Sequence, residues 1–235
     1  MTTAILLITP PFTQLNTPYP ATAYLKGFLN TIAVRSQQID LGIEVMLELF
    51  SGEGLKQLFS EAEEKYSLFS ENSRRIFALR ERYIQTIDSV IHFLQGNNPT
   101  LALRICENSF LPEASRFNHE GDLDWAFGTM GTSDKAKHLA TLYLEDISDF
   151  IVDTTDPYFG FSRYAERLGR SANLFDELYE ALQRQDTLVD RIMIDILKKK
   201  TASFTPTMVG ISVPFPGNLF CGLKCGQWIK KTTPG

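Results

Sequence analysis

The chain has 235 residues, of which 43% are hydrophobic and 22% are charged, which is ordinary for a globular protein. Its formal net charge of −5 leaves no basic excess to neutralise phosphates, which argues against nucleic acid as a partner. Its three cysteines cannot form a paired disulfide framework, its start lacks the basic region of a signal peptide, and no apolar run reaches the ~18 residues of a membrane span. We therefore expect a cytoplasmic protein without a membrane contact.

The opening of the chain predicts a strand, a loop and a helix. Residues 4–8 form a continuous apolar run, typical of a strand that is buried on both faces of a parallel sheet. Pro10 and Pro11 end this strand, because proline has no N–H for a central ladder. Beyond the loop 9–20, apolar residues recur at helical spacing: Ala21, Tyr24, Leu25, Phe28 and Leu29. Ligands of open α/β sheets bind beyond the carboxyl ends of strands, so this loop is a candidate site.

A second, more polar strand is predicted over residues 34–39, and Asp40 follows it directly. In nucleotide-binding folds, an acid at this position can bind a ribose hydroxyl. The same residue type is also a good N-cap for a following helix. The sequence leaves these two interpretations of Asp40 open.

Helical patterns dominate residues 42–200, which we interpret as a large all-α insertion or a separate helical domain. Apolar residues recur at helical spacing over residues 43–50, 55–69, 76–94, 101–105, 134–152, 174–182 and 188–199. Gly96 to Pro99 is a stop signal, whereas the segment 132–134, Ser171 and Asp186 are predicted N-caps.

The sheet is predicted to resume with a strand over residues 206–213, followed by a helix over residues 219–230. This repeats the opening order of buried strand, proline-rich loop and helix. In a flavodoxin-type order the first and third strands are neighbours, so both loops are expected to face one crevice. Three parallel strands make a poor sheet, so we expect it to be completed either by a longer protein or by a second copy in a dimer.

Two sequence segments carry a resemblance to a known family. Residues 5–12, which read ILLITPPF, Asp40 after the second strand, and residues 209–216, which read VGISVPFP, resemble the N-terminal cobalamin (B12)-binding-type domain of B12-dependent radical SAM proteins. The resemblance implies a partial Rossmann-like, flavodoxin-type α/β domain at residues 1–41 and 201–235. The helical block would then be a family-specific insertion.

The same resemblance implies a division of labour within a longer protein. This chain would bind cobalamin, or a substrate in its place. A C-terminal radical SAM domain of the same full-length protein would be its partner and would hold S-adenosylmethionine and a 4Fe–4S iron–sulfur cluster. We expect these residues to line the crevice: Thr9, Pro10, Pro11, Phe12, Thr13, Thr17, Tyr19, Asp40, Ser212, Pro214, Phe215, Gly217 and Asn218.

The chain departs from the family pattern in two places. Cobalamin domains often carry Asp-x-His-x-x-Gly, whose histidine ligates cobalt, but the segment 118–121 reads NHEG and does not match. A radical SAM cluster needs Cys-x3-Cys-x2-Cys, whereas Cys221 and Cys225 are followed by Trp228 at the third position. We interpret the two cysteines as small core residues on one helix face, and expect the cluster beyond residue 235.

Other classes of function find less support. His92, His119 and His138 are isolated and match no zinc pattern, so no metal-ligating residue is predicted in this chain. The main alternative is a structural or interaction protein whose helical block binds a protein partner. A self-contained enzyme that uses Asp40 and the crevice hydroxyls is weaker, because no acid–base pair supports it and no catalytic residue is predicted.

Overall fold

In a computed structural model of the chain, the described residues are 3–13, 19–107, 109–119, 131–161 and 175–232. They contain a three-stranded sheet of β1 (Ala4–Thr9), β2 (Arg35–Asp40) and β3 (Met208–Ile211). The strands are parallel in the order β2-β1-β3, with Ile8 of the central strand opposite Ile39 on one side and Ile211 on the other. The predicted strands and the neighbouring positions of the first and third are confirmed. β3 is shorter than predicted, and the predicted burial of this strand is wrong, because Met208 is exposed and the other three residues are half-buried at the edge of the sheet.

Helices make up most of the remaining described chain, so the fold is α/β and dominated by helix. They are α1 (Ala21–Thr31), α2 (Leu41–Leu49), α3 (Gly52–Glu63), α4 (Glu71–Ala78), α5 (Arg80–Leu94), α6 (Leu101–Ile105), α7 (Thr132–Thr154), α8 (Phe175–Gln183), α9 (Leu188–Phe204) and α10 (Pro216–Thr232). Short 3-10 turns cover Tyr66–Leu68 and Ser115–His119. None of these described helices is long and apolar enough to cross a membrane.

The chain divides into two compact units. One contains residues 1–46 and 158–235, and the other contains residues 47–157. The predicted helical segment ran from 42 to 200, whereas α8 and α9 belong to the unit that holds the sheet. The contacts of α9 with α10 explain this, because Met193 Sδ lies 3.8 Å from Cys225 Sγ and the Lys224 ammonium pairs with the buried carboxylate of Asp190.

Two predicted helices of the 47–157 unit are each interrupted. The pattern over 76–94 is broken at Leu79, whose N–H bonds back to Arg75 and Ile76 and closes α4 before α5 begins. The apolar pattern over residues 55–69 predicts a helix that is longer than α3, which ends at Glu63. Phe69 fits the pattern because it is buried, but it lies outside the helix. Its ring packs 5.6 Å from that of Phe77 and 5.5 Å from that of Phe150.

The predicted N-caps also need correction. Thr187, not Asp186, caps α9: its hydroxyl accepts the N–H of Asp190, and the Asp190 carboxylate accepts the N–H of Thr187. Asp186 instead pairs with Lys224. At α7 the N-cap is Gly131, and no side chain from the segment 132–134 caps that helix. The predicted cap Ser171 lies outside the described residues.

A buried polar cluster organises the 47–157 unit. The rings of Tyr83 and Tyr143 stack 5.1 Å apart, and the Tyr143 hydroxyl donates to the Tyr83 carbonyl at 3.0 Å. One turn further along α7, the fully buried Asp146 carboxylate accepts the N–H groups of Ala114 at 2.9 Å and Arg116 at 3.1 Å. Burial raises the pKa of Asp146, and these two N–H bonds oppose that rise.

The helix α1 is confirmed, but its apolar side chains are mostly exposed. Tyr24 is 77% exposed and Phe28 is 62% exposed, and Leu25 and Ile32 are about half exposed. The buried residue of α1 is Thr22. The side of α1 that is rich in large apolar groups is therefore not the side that packs on its own sheet.

Candidate cofactor-binding edge

The loops that follow β1 and β3 meet at the carboxyl edge of the sheet. The N–H of Ser212 donates to the Ile8 carbonyl at 2.8 Å and extends the pairing of the two strands by one step. The Asn218 side-chain amide donates to the Pro10 carbonyl at 2.9 Å, and Asn218 is fully buried. The two proline-containing loops, 208 residues apart in sequence, are thus joined by a buried hydrogen bond.

Most predicted site residues of the first loop are buried, and they hold the loop in place. Thr9, Pro10, Pro11, Phe12 and Thr13 are all buried. The Thr9 hydroxyl lies 3.2 Å from that of Thr22 on α1, and the Phe12 ring packs 5.9 Å from that of Phe159. These side chains form a floor beneath the edge. Thr17 lies outside the described residues.

An exposed apolar rim lies above this floor. The Tyr19 and Phe215 rings make an edge-to-face contact at 5.8 Å, and they are 36% and 55% exposed. Ser212 and Pro214 are half-buried beside them, and Val213 is exposed. Val213 is absent from the predicted site residues, because the strand was predicted to extend to residue 213, whereas β3 ends at Ile211 and leaves Val213 in the loop. The rim brings together residues from both predicted loops.

Of the two interpretations of Asp40, the structure shows the capping role, at the start of α2. Its Oδ1 accepts the N–H of Ile43 at 3.1 Å, in the first turn of α2. It also lies near the first loop, since a Cβ added to Gly42 would lie 3.2 Å from Asp40 Oδ1 and 3.7 Å from Pro11 Cα. The carboxylate is half-buried and stands at the same edge as the rim.

The start of α10 closes the edge on the side of β3. Gly217 and Asn218 are buried, and the Asn218 N–H donates to the Phe215 carbonyl at 3.0 Å. Asn218 Oδ1 is buried and has no hydrogen-bond donor among the described residues. An unsatisfied buried acceptor costs about 1–3 kcal/mol, so this position carries a local cost in stability.

The residues of the edge suit one face of a large amphipathic cofactor such as cobalamin, but they do not suit axial ligation of its metal. Tyr19, Val213 and Phe215 offer apolar contact, and the half-buried Ser212 hydroxyl offers polar contact. All three histidines of the chain, at 92, 119 and 138, belong to the 47–157 unit. The unit that holds the sheet therefore contains no histidine that could ligate cobalt.

The cysteines of α10 are core residues, as predicted. Cys221 is 1% exposed and Cys225 is 0% exposed, and burial raises the pKa of the Cys225 thiol to about 12. Among the described residues, no group of three or more His, Cys, Asp and Glu side chains could hold a metal ion. The Cys-x3-Cys pair thus has no third ligand in the part of the chain that the structure describes.

These environments predict selective thiol chemistry. At pH 8, iodoacetamide is expected to modify only the half-buried Cys106 of the folded chain. Cys221 is protected by its burial, and the Cys225 thiol, with a pKa of about 12, is also largely protonated at this pH. In urea, all three cysteines should react. Mass spectrometry of samples taken over time measures how fast each cysteine is labelled. Rapid labelling of Cys225 in the folded chain would contradict its burial.

Comparison of the chain with models of protein families, with curated proteins and with solved structures finds no match.

Proposed function

We propose that this chain is the cobalamin-binding-like module of a B12-dependent radical SAM enzyme. It would hold cobalamin, or a substrate in its place, at the carboxyl edge of a Rossmann-like, flavodoxin-type sheet. The observation that carries the proposal is the exposed Tyr19–Phe215 pair, which stands where the loops after β1 and β3 meet. The parallel order β2-β1-β3 supports it, because ligands of such sheets bind at this edge.

The residues of the edge would have two roles. The buried floor residues fix both loops, and the Asn218–Pro10 bond keeps them together. The exposed rim would contact the cofactor directly: the rings of Tyr19 and Phe215 and the side chain of Val213 against its apolar surface, and the Ser212 hydroxyl with its peripheral amides. Bound cobalamin supplies cobalt–carbon chemistry that no amino-acid side chain provides. The chain itself binds, orients and shields.

A catalytic radical SAM domain of the full-length protein is the partner that this proposal requires. Two uncovered apolar surfaces of the unit that holds the sheet support such a partner. One is the exposed side of α1 that carries Tyr24 and Phe28. The other is a groove of about 410 Å³ between β3 and α10, which is lined by Val213 beyond the strand and by Leu223, Gly222 and Gly226 of the helix. β3 is an edge strand among the described strands, so a second copy of the chain could instead pair there.

The proposal predicts cobalamin uptake that depends on Phe215. The full chain, titrated with hydroxocobalamin, should give a saturable shift of the visible spectrum. Phe215→Ala should weaken binding ~10-fold, since it removes an aromatic contact worth about 1.4 kcal/mol. Phe28→Ala is the matched control, because Phe28 is similarly exposed but lies near the far end of α1. Its affinity should equal that of the unmodified chain.

Two results would count against the proposal. Failure of both this chain and a longer version of the protein to take up hydroxocobalamin would exclude the cofactor. Equal affinity of the Phe215→Ala and Phe28→Ala variants would place cobalamin elsewhere on the chain.

A further inference from the structure

A second cavity lies away from the carboxyl edge. Its volume is about 310 Å³, and this open cleft is lined by the end of α8, the loop that leads to α9, Ile194 of α9 and the later turns of α10. Lys224 lines it eight residues after Pro216, which places the cavity roughly 12 Å along α10 from the carboxyl edge at a rise of ~1.5 Å per residue. Its size lies at the lower end of the range for small-molecule sites, which begins at about 300 Å³.

The walls of this cavity are rich in hydrogen-bond donors. Arg184, Lys224 and Lys231 contribute three cations, and the Trp228 indole contributes an N–H that can only donate. The carboxylate among the lining residues is Asp186, which already pairs with the Lys224 ammonium at 2.5 Å. Because the whole chain carries a net charge of −5, this concentration of cations does not reflect its overall composition.

Lys224 is balanced within the protein. Its side chain is 7% exposed, and a second carboxylate, that of the fully buried Asp190, lies 3.5 Å from its ammonium group. The two carboxylates together outweigh this single cation, so Lys224 offers no net positive charge to a ligand. The charge available to a ligand therefore resides on Arg184 and Lys231.

Arg184 is the least satisfied cation of the cavity. Its guanidinium carbon lies 4.5 Å from the Tyr158 ring centroid and 5.3 Å from that of Phe220, so aromatic rings hold the group in place. Nε and Nη2 are buried and have no hydrogen-bond acceptor among the described residues. Arg184 as a whole is half-buried, and a buried N–H group that makes no hydrogen bond is destabilising.

We propose that this cavity binds a small organic anion whose carboxylate or phosphate group is received by Arg184. The planar guanidinium matches either group, since both accept two parallel hydrogen bonds. Lys231, exposed in the last turn of α10, adds charge at the mouth, and Trp228 forms a flat wall for the rest of the ligand. The site is independent of cobalamin, since it shares no residue with the carboxyl edge.

The test uses Trp228 as its reporter. The chain has two tryptophans, so in a Trp125→Phe background the emission comes from Trp228 alone. The 235-residue chain is titrated with inorganic phosphate and, separately, with succinate, and sodium chloride of equal ionic strength is the control. We expect a saturable change of emission with a Kd on the order of 1 mM or tighter for at least one of the two anions. The tighter anion identifies the group that the site receives.

Variants assign the effect to the cavity. Arg184→Gln should weaken binding at least ~10-fold, and Lys231→Gln several-fold. Arg80→Gln is the matched control, because Arg80 also lies 4.5 Å over an aromatic ring, that of Phe77, and lines neither cavity described above. It should bind as the parent does. Circular dichroism checks folding, and Lys231→Gln carries the test if Arg184→Gln does not fold.

The proposal is overturned if neither anion changes the emission beyond the chloride control at concentrations up to ~10 mM. It is also overturned if the folded Arg184 and Lys231 variants bind as tightly as the parent. Binding of phosphate alone or of succinate alone supports it and fixes the class of ligand.

Discussion

Replacing Asp146 by alanine is expected to lower the free energy of unfolding of the 47–157 unit by about 3 kcal/mol. The carboxylate is fully buried and accepts the N–H groups of Ala114 and Arg116, which precede α7 in the chain. Alanine would leave both donors without their acceptor, and the Ala114 N–H lies in a buried hydrogen bond. Urea unfolding followed by circular dichroism measures the change.

Asp149 provides the matched control. It lies on the same helix three residues later and makes a two-pronged ion pair with Arg116 at 2.6 and 2.7 Å, but its side chain is 35% exposed. Exposed pairs contribute about 1 kcal/mol or less, so Asp149→Ala should have a much smaller effect. Equal losses for the two variants would show that the buried backbone bonds of Asp146 are not the cause.

The ionisation of Asp146 adds a pH dependence. Since burial raises the pKa of Asp146 in the folded chain, its contribution to stability is complete below the unfolded pKa of about 4 and is lost as the pH rises through the folded pKa. The stability of the wild type relative to Asp146→Asn should therefore decline as the pH rises from about 4 towards neutrality. If the difference in stability between the wild type and Asp146→Asn did not change with pH, the raised pKa of Asp146 would be contradicted.

Replacing Gly54 by alanine is expected to destabilise the same unit by several kcal/mol, on the order of the largest effects of single substitutions. A Cβ at Gly54 would lie 2.5 Å from the Leu49 carbonyl oxygen and closer still to that of Glu48. Both atoms belong to the backbone, so relief requires the turn between α2 and α3 to move. Thermal and urea unfolding measure the loss.

Gly27 is the control for this substitution. It lies within α1, and a Cβ added there would have no neighbouring heavy atom within 4 Å. Gly27→Ala should therefore raise stability by about 0.5–1 kcal/mol through helix propensity. An equally stable Gly54→Ala variant would show that the turn after α2 can shift at little cost.

The sheet could be predicted from sequence because its signals are local. An apolar run ended by Pro10, and its counterpart ended by Pro214, predict parallel strands, and of these two strands only β1 is buried. The residues that build the floor of the edge were also identifiable by position. Their burial was not, because Thr9 and Thr13 have the composition of an open loop and are covered only through contacts made by distant segments.

Other features depend on choices that sequence patterns do not encode. Asp186 and Thr187 are both good N-caps, and the pairing of Asp186 with Lys224 on another helix accompanies the choice of Thr187. The break at Leu79 has no proline or glycine to announce it. The periodicity of α1 correctly predicts a helix, but periodicity alone cannot say whether a neighbour covers Tyr24 and Phe28.

The pairing of β1 with β3 has a consequence for the order of folding. The hydrogen bonds between Ala4 and Thr207 join residues 203 positions apart, so the central strand lacks one of its two neighbours until the ribosome has added residue 207. At ~5–20 residues per second, this leaves an apolar strand edge open for roughly 10–40 s on the ribosome. The helical unit, whose contacts lie closer together in sequence, can form during that interval.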